Sequence, residues 1–413
     1  MWQKQLVKLY LSRKELNVES NKGALNSIKL ARVSTVSFFI DTQLHAQIKM
    51  TIDSGADVSV IASETALNRP IESCKYFSIT IPRNIQPITD IWALLKLWKL
   101  FRNQKFHIVH STTPKAGLLC AIAGKLAGVP IRLHTFTGQP WLTLSGVKRF
   151  IAMTADRVIG MLNTSCYTDS RSQRQFLIDQ GLVSKNKLSV LGAGSLAGVD
   201  VNRFNPHLYT TEERNTIKVG LGIPQSAVVI LFVGRIVADK GVIELVKAFH
   251  EVVASNLNAY LLFVGPQDLS VSDLGIEESS QVTNRIIFTG YTDIPEKYMS
   301  VSDLLCIPSY REGFGTVVIE AAAMGLPTVG SNIYGLSDAI LHEKTGLLVE
   351  PKSVSELSKA LVRLIKNKDE RRSLGLSAQE RAINEFSHTI INDLVISEYI
   401  KLVEKTKLEG CHG

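Results

Sequence analysis

The sequence has few cysteines, and they form no pattern. The five cysteines, at positions 74, 120, 166, 306 and 411, are widely spaced and include no C-x-x-C pair. Neither a disulfide framework nor a zinc knuckle is therefore expected. This usage fits a reducing compartment such as the cytoplasm.

Long apolar runs are also missing. No stretch approaches the roughly 20 apolar residues of a membrane-spanning helix, and the N-terminal segment MWQKQLVKLYLSRKELNVES lacks the uninterrupted apolar core of a signal peptide. Short repeats, low-complexity tracts and known nucleic-acid-binding modules are absent too. These absences predict a protein that is made and kept inside the cell.

The 413 residues that are present have an ordinary globular composition, 45% hydrophobic and 20% charged. This length exceeds what one hydrophobic core usually serves, so two domains are expected. The net charge of +8 is uneven, because residues 1–205 carry 26 Lys and Arg against 12 Asp and Glu. The basic half suits an anionic partner, and charge alone does not choose between nucleic acid, anionic lipid and a phosphorylated acceptor.

Two series of short β-rich runs alternate with amphipathic stretches, which is typical of parallel α/β layers. The first series is IKLARVSTV, ADVSVIAS, YFSITI, HIVHS, IRLHTFT, RVIGM and CYTDS, and the second is AVVILFVGR, AYLLFVG, RIIFTGY, DLLCIPS, LPTVGS and GLLVE. Three helical patterns follow Pro351. The predicted fold class is α/β, with two doubly wound, Rossmann-like domains that face each other across a cleft.

Turn-rich and helical segments suggest where these domains begin and end. The predicted division is an unassigned N-terminal extension over 1–26, an N-terminal domain over 27–205, a linker over 206–225, a C-terminal domain over 226–386 and a C-terminal helix over 387–413 that packs back toward the N-terminal domain. Ligands of open α/β sheets bind beyond the carboxyl ends of the strands, so the loops there are the candidate sites.

The segment EGFGTVVIE, residues 312–320, directly follows the predicted strand DLLCIPS and opens a helix. Gly313 and Gly315 let the backbone approach a ligand closely, and the N–H groups at a helix N-terminus form an anion site. A diphosphate would fit there, with Glu312 placed for a sugar hydroxyl and Glu320 for a diol such as a ribose. Alternatively, both glutamates have only structural roles, Glu312 as an ordinary first-turn carboxylate and Glu320 as a buried helical residue.

A second motif follows the predicted strand AVVILFV. Gly234-Arg235 ends that strand, and Lys240-Gly241 lies at the start of the next helix. Two cations at the carboxyl end of a strand can hold a diphosphate and neutralise a leaving group. If this segment stood alone, a solvated turn would be the simpler interpretation.

Together, G-R-x4-K-G, E-G-F-G-x4-E and A-x3-G-x-P-x-V strongly resemble the motifs of the retaining, nucleotide-sugar-dependent glycosyltransferases of family four, which have the GT-B fold. The segments HIVHSTTPKAGLL, RLHTFTG and LGAGSLAGVDVNRFNP are similar to the branch that builds bacterial surface polysaccharides, such as O-antigen, capsule or exopolysaccharide, on a polyprenyl diphosphate carrier. The resemblance extends from about Lys29 to about Tyr399. It implies transfer of a hexosyl or N-acetylhexosaminyl group from a nucleoside-diphosphate sugar, expected to be a UDP-sugar, to a lipid-linked or polysaccharide acceptor.

The resemblance also implies roles for individual residues. Arg235 and Lys240 would hold the donor diphosphate, Glu312 the sugar and Glu320 the ribose. The whole implied donor site is Arg235, Lys240, Glu312, Gly313, Phe314, Gly315, Thr316 and Glu320, with backbone N–H groups of Gly315 and Thr316 offered to the phosphates.

Three further residues are expected on the N-terminal side. His134 matches a family histidine that reaches the reacting sugar, so the implied catalytic set is His134, Arg235, Lys240 and Glu312. A lone histidine at a strand end would otherwise be interpreted as structural. Gly194 and Ser195 are expected to face the acceptor or the donor phosphate.

The sequence departs from the family pattern in the N-terminal half. Ser111 and Thr112 follow His110 where relatives often show a second histidine, so His110 receives no catalytic role, and Ser37 and Phe38 stand where a glycine-rich turn is usual. The D-x-D motif of the other large glycosyltransferase fold is absent, and neither a metal nor a cofactor is expected. Retention of configuration is implied by the family alone.

Residues 91–102, IWALLKLWKLFR, predict an amphipathic helix with Trp92, Trp98, a phenylalanine and three cations. This composition suits a membrane surface, where aromatic side chains lie at headgroup depth and cations meet anionic lipid. An ordinary crossover helix is the alternative. With the basic charge of this half, peripheral association with the inner leaflet of the cytoplasmic membrane is expected.

Other functions are compatible with parts of the sequence. Asp53-Ser-Gly-Ala resembles the active-site turn of retroviral-type aspartic proteases, but it has no partner motif and fits a helix end, a turn at Gly55 and a strand. A sugar-nucleotide epimerase or a glycoside phosphorylase of the same fold is a closer alternative. A non-catalytic scaffold in a polysaccharide assembly complex would not need Arg235, Lys240 and the two glutamates.

Overall fold

A computed structural model of the protein describes residues 23–276 and 282–410. The chain divides into two compact units: unit 1 contains the residues up to Gly198 together with those from His388 onward, and unit 2 contains Val199–Ser387. Each unit holds one sheet of parallel strands. The predicted α/β class, with two Rossmann-like sheets, is therefore confirmed.

The sheet of unit 1 is parallel throughout, in the order β3-β2-β1-β4-β5-β6-β7. Its strands are β1 Lys29–Val33, β2 Asp57–Ala62, β3 Lys75–Ser78, β4 Ile108–Thr112, β5 Ile131–Phe136, β6 Ser165–Thr168 and β7 Leu188–Ser189. The central strands are buried on both faces, as a parallel sheet covered by helices requires. The strand order reverses between β1 and β4, which is the switch point of this sheet.

Helices cover both faces of the unit 1 sheet. They are α1 His45–Asp53, which follows a π-helical segment at Ile40–Leu44, α2 Pro87–Gln104, α3 Pro114–Leu126, α4 Gly146–Leu162 and α5 Arg171–Asp179. Leu97 of α2 and Leu119 of α3 pack on one face of the strands, and Ile48 of α1 packs on the other. The last helix of the chain, His388–Gly410, joins α1 on that second face through Ile396 and Tyr399.

Unit 2 repeats the same topology with six strands. They are β8 Val228–Val233, β9 Ala259–Val264, β10 Ile286–Phe288, β11 Leu304–Ile307, β12 Thr328–Ser331 and β13 Gly346–Val349, in the parallel order β10-β9-β8-β11-β12-β13. Every β-rich run of the second series is a strand. The switch point here lies between β8 and β11.

The helices of unit 2 are α6 Thr211–Gly220, α7 Val242–Ala254, α8 Pro295–Met299, α9 Thr316–Ala323, α10 Leu336–Ala339, α11 Val354–Lys366 and α12 Lys368–Phe386. The final helix, His388–Gly410, is α13 and belongs to unit 1. The three helical patterns predicted after Pro351 are therefore present as α11, α12 and α13.

The structure divides the chain differently from the predicted boundaries. The segment 206–225, predicted to be a linker, contains α6 within unit 2. This helix begins with a capping box in which Thr210 and Glu213 bond to each other's backbone N–H groups, a signal that the Thr-x-x-Glu spacing carries. Most of the predicted extension 1–26 lies outside the described residues, but Leu25 is buried in unit 1 and its N–H donates to the carbonyl of Ser54 at 3.0 Å.

One strand prediction in the first series is wrong, and one strand was missed. RVIGM lies inside α4, where Ile159 and Gly160 are buried while Arg157 and Met161 are exposed, so the run has helical rather than strand alternation. Strand β7 was not predicted, because two residues carry no alternating pattern.

The protease-like segment is a turn between a helix and a strand. Helix α1 ends at Asp53, Gly55 has a φ of +98°, and β2 begins at Asp57. A Cβ atom at Gly55 would lie 2.1 Å from Oδ1 of Asn26, so this turn needs glycine for packing as well as for its backbone angle. The interpretation of this segment as part of an α/β domain is confirmed.

Candidate active site

The two motifs of unit 2 meet at its switch point. Gly234 and Arg235 directly follow β8, and Pro308 opens the loop after β11, the neighbouring strand. The carboxyl ends of parallel strands lie at one edge of the sheet, so both loops leave it side by side. This is the position where open α/β sheets bind their ligands.

A close backbone contact holds the two loops together. Gly241 has a φ of +68°, and a Cβ atom there would lie 2.0 Å from the carbonyl oxygen of Pro308. The N–H of Tyr310 donates to the carbonyl oxygen of Asp239 at 2.9 Å, and Arg311 forms an ion pair with the Asp239 carboxylate at 2.8 Å. Only glycine at position 241 lets the loops come this close.

This approach places Lys240 beside Glu312. Nζ of Lys240 lies 2.5 Å from Oε1 of Glu312, and the Ser309 hydroxyl donates to the same oxygen at 3.0 Å. Both charged side chains are only partly exposed, so this pair is less screened than a surface ion pair. Arg235 is more exposed and pairs with Asp268.

The turn Gly313–Gly315 leads into α9. Phe314 is buried, and its ring packs edge to face on Phe386 with the centroids 5.1 Å apart. Gly315 is the N-cap of α9 with a φ of +86°, no side chain caps this terminus, and no acidic residue lies in its first turn. The helix dipole and the N–H groups from Thr316 onward therefore favour an anion.

Glu320 lies on α9, one turn inside the helix, and burial raises its pKa to about 7. The positive charge of Arg203 opposes this shift, and the negative charge of Glu296 adds to it. Nε and Nη2 of Arg203 bind the two carboxylate oxygens of Glu296, each at 2.8 Å. Burial is thus the main cause of the raised pKa of Glu320, and the charges of Arg203 and Glu296 modify it. The sequence analysis missed both of these residues.

His134 lies in unit 1 on β5, and its side chain is only 1% exposed. Nδ1 is 3.0 Å from the Ser111 hydroxyl, the ring packs against Phe136, and a Cβ atom at Gly117 of α3 would lie 2.4 Å from Cε1. Burial lowers the pKa of His134 to about 3, so the imidazole is neutral at physiological pH. Its predicted contact with the reacting sugar stays a prediction.

Gly194 and Ser195 lie in the loop after β7 in unit 1. Ser195 has a φ of +71°, its N–H donates to the carbonyl oxygen of Asp169 at 2.6 Å, and its hydroxyl accepts from the N–H of Gly198 at 3.0 Å. Ser195 lines a cavity of about 20 Å³. Burial raises the pKa of Asp169, another lining residue, to about 8.

His110, to which no catalytic role was assigned, is part of a buried polar network in unit 1. Its Nδ1 lies 2.7 Å from the Tyr399 hydroxyl and its Nε2 lies 2.8 Å from that of Thr135. Nη1 of Arg32, which is also buried, donates to the Tyr399 hydroxyl at 3.2 Å. This network joins three strands to α13. Burial, together with the positive charge of Arg32, lowers the pKa of His110 well below its usual value.

The predicted donor residues thus lie together in unit 2, whereas His134, Gly194 and Ser195 lie in unit 1. Glycine spacing after a strand was enough to locate the two loops that are predicted to bind the donor. Arg203 could have been found only from its place in the segment VDVNRFNP, and Glu296 carries no sequence signal. Over 23–276 and 282–410, no three potential metal-ligating His, Cys, Asp or Glu side chains lie together.

The two tryptophans of α2 have different environments. Trp98 packs against the core of unit 1 with Arg102 over its ring, whereas Trp92 is exposed. The amphipathic helix predicted over residues 91–102 is therefore present, and the core interpretation holds for Trp98. Among the helices of the described residues, none is both long and apolar enough to cross a bilayer.

Family models match each unit separately. The model of glycosyl transferases group 1 matches residues 213–381, in unit 2, and the model of a glycosyl transferase 4-like domain matches residues 40–194, in unit 1.

Similar proteins match nearly the whole chain. The capsular polysaccharide biosynthesis glycosyltransferase CapM of Staphylococcus aureus is 29% identical over 92% of this chain and 98% of its own length. A UDP-Gal:alpha-D-GlcNAc-diphosphoundecaprenol alpha-1,3-galactosyltransferase of Escherichia coli is 26% identical over 92% of this chain and 99% of its own. The structure of Anabaena Alr3699/HepE in complex with UDP and glucose has a TM-score of 0.71 at 18% identity, over 90% of this chain and 99% of that one.

Proposed function

This chain belongs to the glycosyltransferases of GT-B fold, and we propose that it transfers a hexosyl or N-acetylhexosaminyl group from a nucleoside-diphosphate sugar to a lipid-linked or polysaccharide acceptor. It resembles the branch that acts in bacterial surface-polysaccharide biosynthesis. The observation that carries the proposal is that the loop after β8, which holds Arg235 and Lys240, meets the loop after β11 at the unit 2 switch point, where Lys240 pairs with Glu312.

Unit 2 is the proposed donor-binding unit. The cationic side chains of Arg235 and Lys240 would take the diphosphate, together with the N–H groups at the start of α9. Glu312 would accept a hydrogen bond from the sugar and Glu320 from the ribose. A UDP-sugar is favoured because the Escherichia coli relative is named for UDP-Gal and the HepE structure contains UDP.

The same groups suit the chemistry of transfer. As the glycosidic bond to the diphosphate breaks, negative charge grows on the leaving phosphate, where Lys240, Arg235 and the α9 terminus stabilise it. Two fixed cations supply the charge that a metal would otherwise supply, so we propose a metal-independent reaction. Capture of the sugar by the acceptor on the face that the diphosphate leaves would retain configuration, as the family resemblance implies.

Unit 1 is the proposed acceptor-binding unit. Residues 1–205, nearly all of which belong to this unit, are basic and suit an anionic carrier such as a polyprenyl diphosphate. The Escherichia coli relative is named for a diphosphoundecaprenol-linked acceptor. The loop of Gly194 and Ser195 belongs to this unit, as does His134 on β5. Such an acceptor would place the enzyme at the inner leaflet of the cytoplasmic membrane.

The test is binding and slow hydrolysis of UDP-, GDP- and ADP-sugars by the purified protein, with and without a chelator. We expect one sugar nucleotide to bind with an affinity that the chelator leaves unchanged, and Lys240→Ala to weaken it. Lys247→Ala, an exposed lysine on α7, is the matched control. If no sugar nucleotide binds, or if Lys240→Ala binds as the unaltered protein does, the donor site is wrong.

A further inference from the structure

Arg235, one of the two cations of the proposed donor site, is paired with a carboxylate of its own unit. Nη2 of Arg235 donates to Oδ2 of Asp268, a residue of the loop that follows β9. Strand β8 lies between β9 and β11 in the sheet, so the loops that hold Asp268 and Glu312 flank the loop of Arg235 on opposite sides. Asp268 belongs to neither donor motif, and its place beside Arg235 calls for an explanation.

The backbone holds Asp268 in this position. The pairing of β8 with β9 continues past the ends of both strands, because the N–H of Ile236 donates to the carbonyl oxygen of Pro266 at 2.9 Å. In turn, the N–H of Asp268 donates to the carbonyl oxygen of Ile236 at 3.2 Å. Ile236 is buried, which anchors this connection. Residues 235 and 268 are therefore neighbours whether or not their side chains are paired.

The ion pair itself is exposed to solvent. The side chains of Arg235 and Asp268 are 66% and 45% exposed, compared with 29% and 17% for Lys240 and Glu312. An exposed pair in water is weak, so either side chain leaves it at little cost. A diphosphate carries more negative charge than one carboxylate and can bind a guanidinium through two oxygens. It can therefore displace Asp268 from Arg235, but it must compete with Asp268 to do so.

We propose that Asp268 is the resident counter-ion of Arg235, that it competes with a nucleoside diphosphate for this guanidinium, and that it thereby speeds release of the diphosphate product. The inference rests on the proposed function, in which Arg235 takes the donor diphosphate. Phosphate and carboxylate oxygens are both acceptors and cannot bond to each other, so Asp268 loses its partner when the diphosphate binds. The pair forms again as the diphosphate leaves, which lowers the affinity of the site for donor and product alike.

The first experiment is calorimetry of UDP binding to the full chain and to Asp268→Asn. Asparagine has nearly the same shape as aspartate without its charge, so we expect the Kd for UDP to fall by about twofold to fivefold, which corresponds to the strength of an exposed ion pair. Asp268→Ser removes the same carboxylate and should give the same gain.

Asp273→Asn is the matched control, because it removes the same charge five positions further along the same loop. The Asp273 carboxylate accepts from the N–H of Ser270 at 3.1 Å and from its hydroxyl at 2.6 Å, and the asparagine amide oxygen can accept in its place. This variant should leave the Kd for UDP unchanged.

A double-mutant cycle tests whether Asp268 acts through Arg235. Arg235→Gln should weaken UDP binding, and the addition of Asp268→Asn to this variant should then change the Kd no further, because the group for which Asp268 competes is gone. The effect on release is measured in a stopped-flow instrument, where unlabelled UDP displaces a fluorescent UDP derivative. Asp268→Asn should lower the dissociation rate constant by about twofold to fivefold, as the Kd falls.

Three outcomes would overturn the proposal. The first is an Asp268→Asn variant that has an unchanged melting temperature and binds UDP no better, or less well, which would make Asp268 an orienting partner of Arg235. The second is an equal gain in affinity in the Arg235→Gln background, and the third is an unchanged dissociation rate. Failure of the donor site is distinguishable from all three. In that case neither the unaltered protein nor Asp268→Asn binds UDP, and both proposals fall, whereas failure of the competition alone leaves UDP binding that Lys240→Ala weakens.

Discussion

Lys240 Nζ lies 2.5 Å from Glu312 Oε1, which joins the loop after β8 to the loop after β11 by a direct ion pair. Each group therefore neutralises the other at the point where the proposed donor would bind. A diphosphate would replace Glu312 as the partner of Lys240, and a sugar hydroxyl would replace Lys240 as the partner of Glu312. The pair positions both side chains before they are used.

Removing either member should impair transfer much more than folding. Lys240→Ala removes a cation from the leaving phosphate, and we expect kcat/KM to fall by about a hundredfold to a thousandfold. Glu312→Gln keeps an acceptor for the Ser309 hydroxyl but loses the charge, and should also lower kcat/KM. Initial rates and melting temperatures of both variants are the measurements, and unaltered rates in both would refute the site.

Gly241→Ala should disrupt the proposed donor site through the backbone. An alanine Cβ atom would lie 2.0 Å from the Pro308 carbonyl oxygen, so the loops must separate and Lys240 must move. Gly222→Ala is the matched control, since its φ of +70° is similar and nothing lies within 4 Å of the added atom. Both variants should lose about 1 kcal/mol from the left-handed backbone, but only Gly241→Ala should weaken donor binding as well. Calorimetry of UDP binding distinguishes them.

Binding of UDP should depend on pH through Glu320. Because the pKa of Glu320 is raised to about 7, and the ionised carboxylate accepts ribose hydroxyls best, affinity should rise as pH rises through about 7. Arg203 favours the ionised form, so Arg203→Gln should move the midpoint to higher pH. Glu320→Gln should remove the pH dependence. A midpoint unmoved by Arg203→Gln would contradict this assignment.

Asp156 should make the protein less stable as pH rises. Burial raises its pKa from 3.8 to about 7, so in that interval the folded protein keeps a proton that the unfolded chain has lost. The contribution of Asp156 to the free energy of unfolding is therefore complete below pH 3.8 and is lost as pH rises through about 7. Asp156→Asn keeps an acceptor for Trp141 and should flatten the decline. The melting temperature measured across this pH range is the test, and an equally steep decline in the variant would speak against it.

Tyr399→Phe should destabilise unit 1. The substitution removes the hydroxyl that contacts both Arg32 and His110, and it leaves two buried polar groups without that partner. We expect the free energy of unfolding to fall by about 1–3 kcal/mol. Urea unfolding measures the change, and a variant as stable as the unaltered protein would show that the network contributes nothing.

The sequence was most informative where the chemistry depends on local spacing. The strands of unit 2 were predicted because continuous apolar runs such as AVVILFV are typical of parallel sheets. Arg235, Lys240 and Glu312 were located because strand-to-helix turns with glycine recur at anion sites. These features depend on residues that are close together in the chain.

Contacts between distant residues were not predictable in this way. The bonds between Arg203 and Glu296 and between Arg32 and Tyr399 span 93 and 367 positions, and nothing near either residue indicates its partner. The burial of His134 depends on Gly117 in the neighbouring helix. RVIGM was assigned to a strand because five residues are too few to distinguish a helical from an extended period.

The position of α13 has a consequence for synthesis on the ribosome. Unit 2 is an insertion in unit 1, since Val199–Ser387 lies between the two stretches that make up the other unit. Arg32 is translated early, but its partner Tyr399 emerges only after all of unit 2. Unit 2 can therefore fold as a contiguous domain during translation, whereas the face of the unit 1 sheet shared by α1 and α13 stays incompletely covered until the last helix arrives. A ribosome that stops before residue 388 would release a folded unit 2 attached to a unit 1 that lacks α13, leaving apolar sheet residues exposed of the kind that chaperones bind.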